Sequence, residues 1–428
     1  MTKKRLWVNE APEDLTTDDF VWRRSADGPS SLQANVDAGL AQFGPVASAN
    51  RDAVWLAVAV FLADRTVPRG KAWQRDLQVV APAMDPVRWR AVKGDVDAML
   101  SFLTSDKWDT TFALATLESE GADQQPADDS DLVCLFSGGA DSVCGAVHAL
   151  SQGHHVTLMS HWDWSGHSAT QSRLIGDLEK QFEVQIPHVR VNLGRGAKQI
   201  GGAQYGDEPS RRSRSLLFVT LGLAVASARG SVPLWIAENG FASLNPPLAS
   251  ERRGALSTRT THPEFLGRLR ALLQAVGAHA DFANPFGQAT KGEMFSLVAQ
   301  RIGHDEASAL LSKSHSCSHV RWGIPFHRPP DTQCGVCFGC LVRRAAFIAA
   351  GLEDRTTYLV TDLNEQQRME FLSTASVRAG IEAMRYAVSR ELGPADILAL
   401  NMPNGHDLEA ALDLIRRGFR ELAAVELP

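Results

Sequence analysis

From residue 132 onward the apolar positions switch repeatedly between a strand pattern and a helix pattern. Residues 132–136, Leu-Val-Cys-Leu-Phe, form a short apolar run of strand formers. The turn Ser137-Gly138-Gly139-Ala140-Asp141-Ser142 follows, and a helical pattern starts at Val143 and ends near Leu150. Strand-like runs recur at 155–160, 188–192 and 234–237, separated by helical spacing over 168–182 and 214–229. Strands alternating with helices predict an α/β fold with a doubly wound parallel sheet. Ligands on such sheets sit beyond the carboxyl ends of the strands. Three stretches fall there: the Ser-Gly-Gly loop, His161-Trp162-Asp163-Trp164, and Glu238-Asn239-Gly240.

The flanks read differently. Residues 1–117 are expected to form an N-terminal α+β accessory domain that packs on the core or binds a partner. Within it, 54–62 is apolar enough for a buried helix or strand, 77–81 reads as a short strand, and 89–102 has helical spacing. Trp7, Trp22, Trp55, Trp73, Trp89 and Trp108 lie here and are read as core rather than a ligand stack. Residues 118–131 carry six acids and no bases, which predicts a solvated linker and a domain boundary. The 352–428 extension is polar and helical, with main runs at 364–385 and 408–424, and suggests a cap or a homo-oligomer surface.

Composition narrows the class. The chain has 428 residues, enough for two or three domains, with 44% hydrophobic and 21% charged residues, the balance of a globular protein. A net charge of −6 gives no sign of general nucleic-acid affinity. No apolar run approaches a membrane span, and the basic start lacks the apolar stretch of a signal peptide, so a cytoplasmic location is expected.

The loop has a chemical logic. Two adjacent glycines let backbone approach a ligand closely. A helix start offers unpaired N–H groups that favour phosphate. Ser137 and Ser142 add hydroxyls, and Asp141 is suited to hold Mg2+ against the same phosphates. The bland alternative is an ordinary turn with Asp141 or Ser142 as the helix cap. The ordered set Ser137, Gly138, Gly139, Ala140, Asp141, Ser142 after a buried strand resembles the pyrophosphate loop of the PP-loop ATP pyrophosphatases. Arg214, opening a long helix at Ser210-Arg211-Arg212-Ser213-Arg214-Ser215, is the better phosphate candidate of its group. Arg211 and Arg212 read as solvated. Thr290 is a good helix cap, and Lys291 in the first turn behind it either has an anion nearby or is an ordinary surface lysine.

The second signal is Cys317 followed by Cys334, Cys337 and Cys340. Two-residue gaps put several thiolates on one turn, and a fourth from an earlier loop completes a four-sulfur site. Zn2+ in a closed structural site is the expectation, with an iron–sulfur cluster as the rival. His315, His319 and His327 flank the site as substitute ligands. Cys134 and Cys144 read as core. Arg343 or Arg344 points back towards the nucleotide or is solvated.

Taken in order, Ser137–Ser142, Arg214-Ser215, Thr290-Lys291 and the four cysteines resemble the 7-cyano-7-deazaguanine synthases, zinc-bearing PP-loop enzymes. The likeness spans residues 132–351. It implies a sheet of the PP-loop ATP pyrophosphatase type, with ATP and Mg2+ as cofactors. It also implies adenylation of a 7-deazapurine carboxylate with release of pyrophosphate, then displacement of AMP by an amine. In this setting Asp141, Lys291 and Arg214 would be catalytic. The first and last segments, with the block around Glu238-Asn239-Gly240 and Arg259–Phe265, look more like the synthase-like proteins of Qat anti-phage defence systems. That implies partner proteins of a defence operon, with an amine on one of them as acceptor. The synthase stretch Gly-Tyr-Pro-Asp-Cys-Arg is replaced here by Arg259-Thr260-Thr261-His262, which leaves base and product open. Glu238, Trp162, Arg259 and His262 are the substrate-binding candidates, and Trp162 and Trp164 stack on a base or fill the core. Two further readings are a PP-loop thiolase or amidase acting on tRNA, and a catalytically silent nucleotide-binding scaffold.

Overall fold

The computed structural model describes residues 2–8, 14–16, 18–22, 32–34, 45–70, 74–115, 129–162, 165–195, 204–208, 212–246, 259–318, 322–329, 332–389, 391–393, 396 and 400–427. Trp73, Trp164, Arg211, His319 and most of the acidic stretch lie outside these residues, as does the side chain of Trp162.

The first segment contributes β1 (Thr2–Val8), β2 (Asp19–Trp22), β3 (Leu32–Ala34), β4 (Asp76–Ala83) and β5 (Lys107–Leu114). The central region adds β6 (Leu132–Leu135), β7 (Val156–Trp162), β8 (His188–Arg195), β9 (Leu234–Trp235) and β10 (Phe282–Ala283). The central sheet runs β10-β9-β6-β7-β8-β3. Its first five strands pair in parallel, and only β3 is antiparallel to its neighbour, with Leu32 opposite Arg195. This is the α/β architecture that the alternating pattern predicts.

The apolar run at 132–136 sits mid-sheet because both of its faces are covered. Side chains alternate across the strand. Val133 and Leu135 enter one core with the helix Arg214–Ala228, while Leu132, Cys134 and Phe136 enter the other with the helix Ala140–Ser151. Gly222 lets the first of these helices lie close, since a Cβ there would stand 2.6 Å from Leu135 Cδ2. Each buried Leu, Val or Phe in these layers contributes about 1.5–3 kcal/mol. Cys134 and Cys144 are both buried there, as expected.

The first segment forms its own parallel sheet, β2-β1-β4-β5. Residues 54–62 belong to the helix Ser48–Thr66, which is buried on nearly every side. That helix shares one continuous core with β4 and with the helix Arg214–Ala228, and β3 extends the central sheet. Trp22, Trp55, Trp89 and Trp108 are buried. The indole N–H groups of Trp89 and Trp108 donate to Asp52 and Thr104 at 3.1 and 2.8 Å.

Two predicted helices are broken. Residues 89–102 divide into Pro86–Ala91 and Lys93–Thr104 at Val92, and 364–385 divide into Glu365–Ser373 and Ala375–Ser389 at Thr374. The last helix, Leu408–Ala423, buries Leu414, Ile415, Phe419 and Leu422 against Phe241, Leu341 and Met384. No helix among the described residues is long and apolar enough to cross a membrane.

Candidate active site and cysteine cluster

The helix after β6 begins at Ala140, three residues earlier than its apolar pattern suggests. Its cap is Gly139, so Asp141 and Ser142 lie inside the first turn rather than capping it. No side chain caps this turn, which leaves its N–H groups for a ligand. Gly138 has φ +80°, a conformation that side chains rarely adopt. A Cβ on Gly139 would stand 3.1 Å from Ser137 Oγ and 3.3 Å from the His315 carbonyl. Within the loop, Gly139 N–H donates to Ser137 Oγ at 3.2 Å and Ser142 Oγ donates to the Gly139 carbonyl at 2.8 Å. Gln171, which the sequence did not single out, buttresses the loop by donating to the Ser137 carbonyl at 3.2 Å.

Asp141 gathers the site. Its Oδ1 lies 2.7 Å from Lys291 Nζ, and its Oδ2 accepts from Asn239 Nδ2 at 2.8 Å. Both members of the ion pair are buried. Burial opposes the charge on Asp141, but the Lys291 ammonium and hydrogen bonds from Glu238, Lys291 and Asn239 outweigh it and hold the carboxyl at about 2. Burial also opposes the Lys291 charge, and the neighbouring acids, Asp141 foremost, overcome it and raise its pKa. Glu238 goes the other way: burial, then the neighbouring Asp141 charge, push it well above the ordinary range. Of the two acids, Asp141 is therefore the one held as a carboxylate with Lys291 as counter-ion, and Glu238 beside it is the one pushed towards its protonated form.

Lys291 reaches this position from the first residue of the helix Lys291–Ile302. Thr290 and Glu293 form a reciprocal capping box at that helix start. Of the two alternatives for Lys291, a nearby anion or a surface position, the structure has the first: the side chain is buried against Asp141. Two asparagines not chosen from the sequence complete the frame. Asn239 holds Asp141 while capping the short helix Gly240–Leu244. Asn284 clamps the Glu238 backbone, accepting from its N–H at 3.3 Å and donating to its carbonyl at 2.7 Å. Both belong to Asx-type turns at strand ends, a signal the sequence does carry.

The other candidates sit further out. Arg214 is half-buried at the start of its helix, which topology places at the same carboxyl edge of the sheet. That helix start is held by Asp64 of the first segment, whose Oδ2 accepts from Ser213 Oγ at 2.7 Å and Ser213 N–H at 3.2 Å. Arg212 corrects the expectation of a solvated side chain. It is buried and donates to the Thr104 carbonyl at 3.0 Å, because the first segment covers it. Arg259 donates to the Phe102 carbonyl at 2.7 Å and lies over the Phe102 ring. His262 caps the helix Pro263–Ala275, accepting from Glu264 N–H at 3.1 Å, and packs on the same Phe102 ring. Burial, with Arg259 adding to it, lowers His262 to about 4, so its ring is neutral. Arg259 and His262 thus stand at the seam with the first segment. Trp162 ends β7 at the carboxyl edge.

The sulfur atoms of Cys317, Cys334, Cys337 and Cys340 all lie within 4.8 Å of one another. Cys334 and Cys340 are 3.8 Å apart, and Cys317 and Cys337 are 3.9 Å apart. A tetrahedral zinc ion with bonds of about 2.3 Å places its sulfurs about 3.8 Å apart, so the set fits one such ion. Backbone N–H groups of Cys334 and Cys337 donate to Cys317 and Cys334 sulfur at 3.4 and 3.2 Å, suiting thiolates. No histidine joins the four sulfurs among the described residues. Arg343 neither faces the loop nor meets solvent: it is fully buried, donating to Ser314 Oγ at 2.7 Å and Thr356 Oγ1 at 2.9 Å. It thereby pins the segment whose His315 N–H donates to the Gly138 carbonyl at 3.0 Å. Cys317 follows His315 by two residues, so the sulfur cluster and the loop are joined by one short segment.

Fold and loop together define an α/β protein of a type consistent with a PP-loop domain. No family model matches the chain. It is similar to the 7-cyano-7-deazaguanine synthase of Novosphingobium aromaticivorans, 27% identical over 254 residues, covering 54% of this chain and 97% of that protein. The synthase of Thermoplasma acidophilum is 25% identical over 244 residues, covering 53% of this chain and 91% of its own. That of Syntrophobacter fumaroxidans is 25% identical over 251 residues, covering 53% and 95%. These likenesses, over about half the chain, support an enzyme of a synthase-like family.

Proposed function

We propose that the protein is an ATP-dependent ligase that adenylates a 7-deazapurine carboxylate and transfers the acyl group to an amine. The carboxylate attacks the α-phosphorus of ATP, giving an acyl-adenylate and pyrophosphate. The amine then attacks the acyl carbon, AMP leaves, and a proton is released. The observation that carries this reading is the ion pair of Asp141 and Lys291 at the foot of the uncapped Ser-Gly-Gly helix start. The free N–H groups suit the β- and γ-phosphates, and Lys291 suits the charge that develops on the leaving pyrophosphate. Asp141 is the residue to hold Mg2+, which would supply further charge neutralisation there. Arg214 is assigned to the same phosphates from the neighbouring helix start. Glu238, through its carboxyl oxygens as paired acceptors, suits the N–H edge of a guanine-like base, and Trp162 a stacking face.

Zinc at the four cysteines is structural in this reading. The close approach of the four sulfurs, all within 4.8 Å of one another, favours a single ion over a cluster, and so favours the synthase-like chemistry over thiolation. The added first and last segments support an acceptor amine on a partner protein and a role in anti-phage defence. The assay is pyrophosphate release from ATP with 7-carboxy-7-deazaguanine, followed by intact-mass measurement of co-expressed partner proteins. Release dependent on the acid supports adenylation, and a mass gain on a partner supports the protein acceptor.

A further inference from the structure

We propose that the C-terminal helix Leu408–Ala423 is the part that sets the catalytic lysine, with Glu421 as the positioning residue for Lys291. The proposal rests on the ligase reading for its rate effect but not for its geometry. Lys291 is the first residue of its helix, where a cation opposes the helix dipole. Besides Asp141, which pairs with the ammonium, a second acid reaches this helix start from the far end of the chain. Glu421 Oε1 accepts from the Thr290 hydroxyl, and Glu421 Oε2 accepts from the Gly292 N–H at 3.1 Å. These two residues flank Lys291. The fit is close: a Cβ on Gly292 would stand 2.5 Å from Glu421 Oε1 and 2.8 Å from Ala349 Cβ.

One turn earlier, Arg417 pairs with Glu293 of the capping box and donates to the Gln288 carbonyl at 3.0 Å. So one helix grips residues 288, 290, 292 and 293 together. Its other side is anchored on the helix that follows Asn239. Gly418 is seated on Phe241, where a Cβ would stand 2.3 Å from Phe241 Cδ2, and Leu414, Ile415 and Phe419 share a core with Phe241 and Leu244. The C-terminal helix therefore touches both helix starts that converge on Asp141, the one behind Asn239 and the one carrying Lys291. Because Glu421 takes the N-terminus of the Lys291 helix, that helix end is closed to phosphate. Lys291 meets the substrate through its ammonium alone.

The test compares Glu421→Gln, which keeps size and an acceptor oxygen, with Glu421→Ala and with Glu409→Gln on the exposed start of the same helix. Two readouts are taken on the full chain. The first is competitive acylation of Lys291 without nucleotide, followed by peptide mass spectrometry. Lys291 should react several-fold faster in both Glu421 variants than in wild type or Glu409→Gln, while circular dichroism shows an intact fold. The second is pyrophosphate release, where kcat should fall about 10- to 100-fold in Glu421→Ala, less in Glu421→Gln, with the KM for ATP little changed. Wild-type labelling of Lys291 in folded Glu421→Ala would overturn the proposal. Absence of pyrophosphate release from wild type would instead remove the ligase reading and leave the labelling result to decide the positioning role. Should Glu421→Ala not fold, Glu421→Gln carries the same two readouts.

Discussion

Asp141 Oδ1 and Lys291 Nζ stand 2.7 Å apart, both buried, on helix starts that are 150 residues apart in sequence. Neither charge is sustained without the other. Removing one partner of a buried pair costs about 3–5 kcal/mol, because the survivor is left uncompensated. Asp141→Ala and Lys291→Ala should each be destabilised to that extent in urea, and the double variant by clearly less than the sum. Each should lower pyrophosphate release by about 100-fold or more. Additive stability losses would show that the two charges do not depend on each other.

Glu238 predicts a pH signature. Its carboxyl is raised, so the folded chain keeps the proton where the unfolded chain has lost it. The stability it contributes is full below the ordinary glutamate value of about 4.3 and declines as pH rises through the folded value. Asp141 has the opposite sign: its contribution is full above about 3.9 and lost as pH falls towards about 2. Glu238→Gln keeps a donor to Asp141 and no longer titrates. Its urea midpoint should therefore decline less than that of wild type between about pH 5 and pH 8. Parallel pH profiles for the two proteins would contradict the raised Glu238 carboxyl.

The cysteine cluster should hold one zinc ion per chain by elemental analysis, without iron–sulfur absorption. Chelation should release it, with a loss on the order of 10 kcal/mol from that region. The loss should reach the loop through the bond from His315 N–H to the Gly138 carbonyl, measured as faster hydrogen exchange at residues 137–142. Unchanged exchange there in the metal-free protein would show that the cluster does not act on the loop.

Asp64 carries the last structural prediction. It accepts from Ser213 Oγ and pairs with Arg75 at 2.5 Å, and Arg75 pairs in turn with Asp106 at 2.6 Å, all within the buried seam. Asp64→Ala takes one of two carboxylate partners from Arg75, leaves Asp106 as the other, and leaves Ser213 without its acceptor at the start of the Arg214 helix, and should cost about 1–3 kcal/mol in urea. A change below about 0.5 kcal/mol would mean that the seam is solvated.

Much of this was legible in the chain because the signals are local. The run at 132–136 followed by Gly138 and Gly139 marks a strand, a turn and a helix start within a dozen residues. Thr290 marks the cap that carries Lys291, and the cysteine spacing marks the sulfur turn. What escaped depends on distant partners. Arg212 looks solvated beside Arg211 until Thr104 supplies a carbonyl and the first segment covers it. Glu421 sits in an amphipathic tail helix with nothing in its neighbours to mark it, and only the folded chain brings it to Thr290. The breaks at Val92 and Thr374 escaped because neither position carries a glycine or proline to mark it. Asn239 and Asn284 were visible as turn residues, but their bonds to Asp141 and Glu238 join separate strands.

The most direct measurement is pyrophosphate release by the wild-type protein given ATP, Mg2+ and 7-carboxy-7-deazaguanine, beside Asp141→Asn. The account predicts release that needs both substrates and falls by about 100-fold or more in the variant. Release at the same rate from both proteins, or from neither, would contradict it.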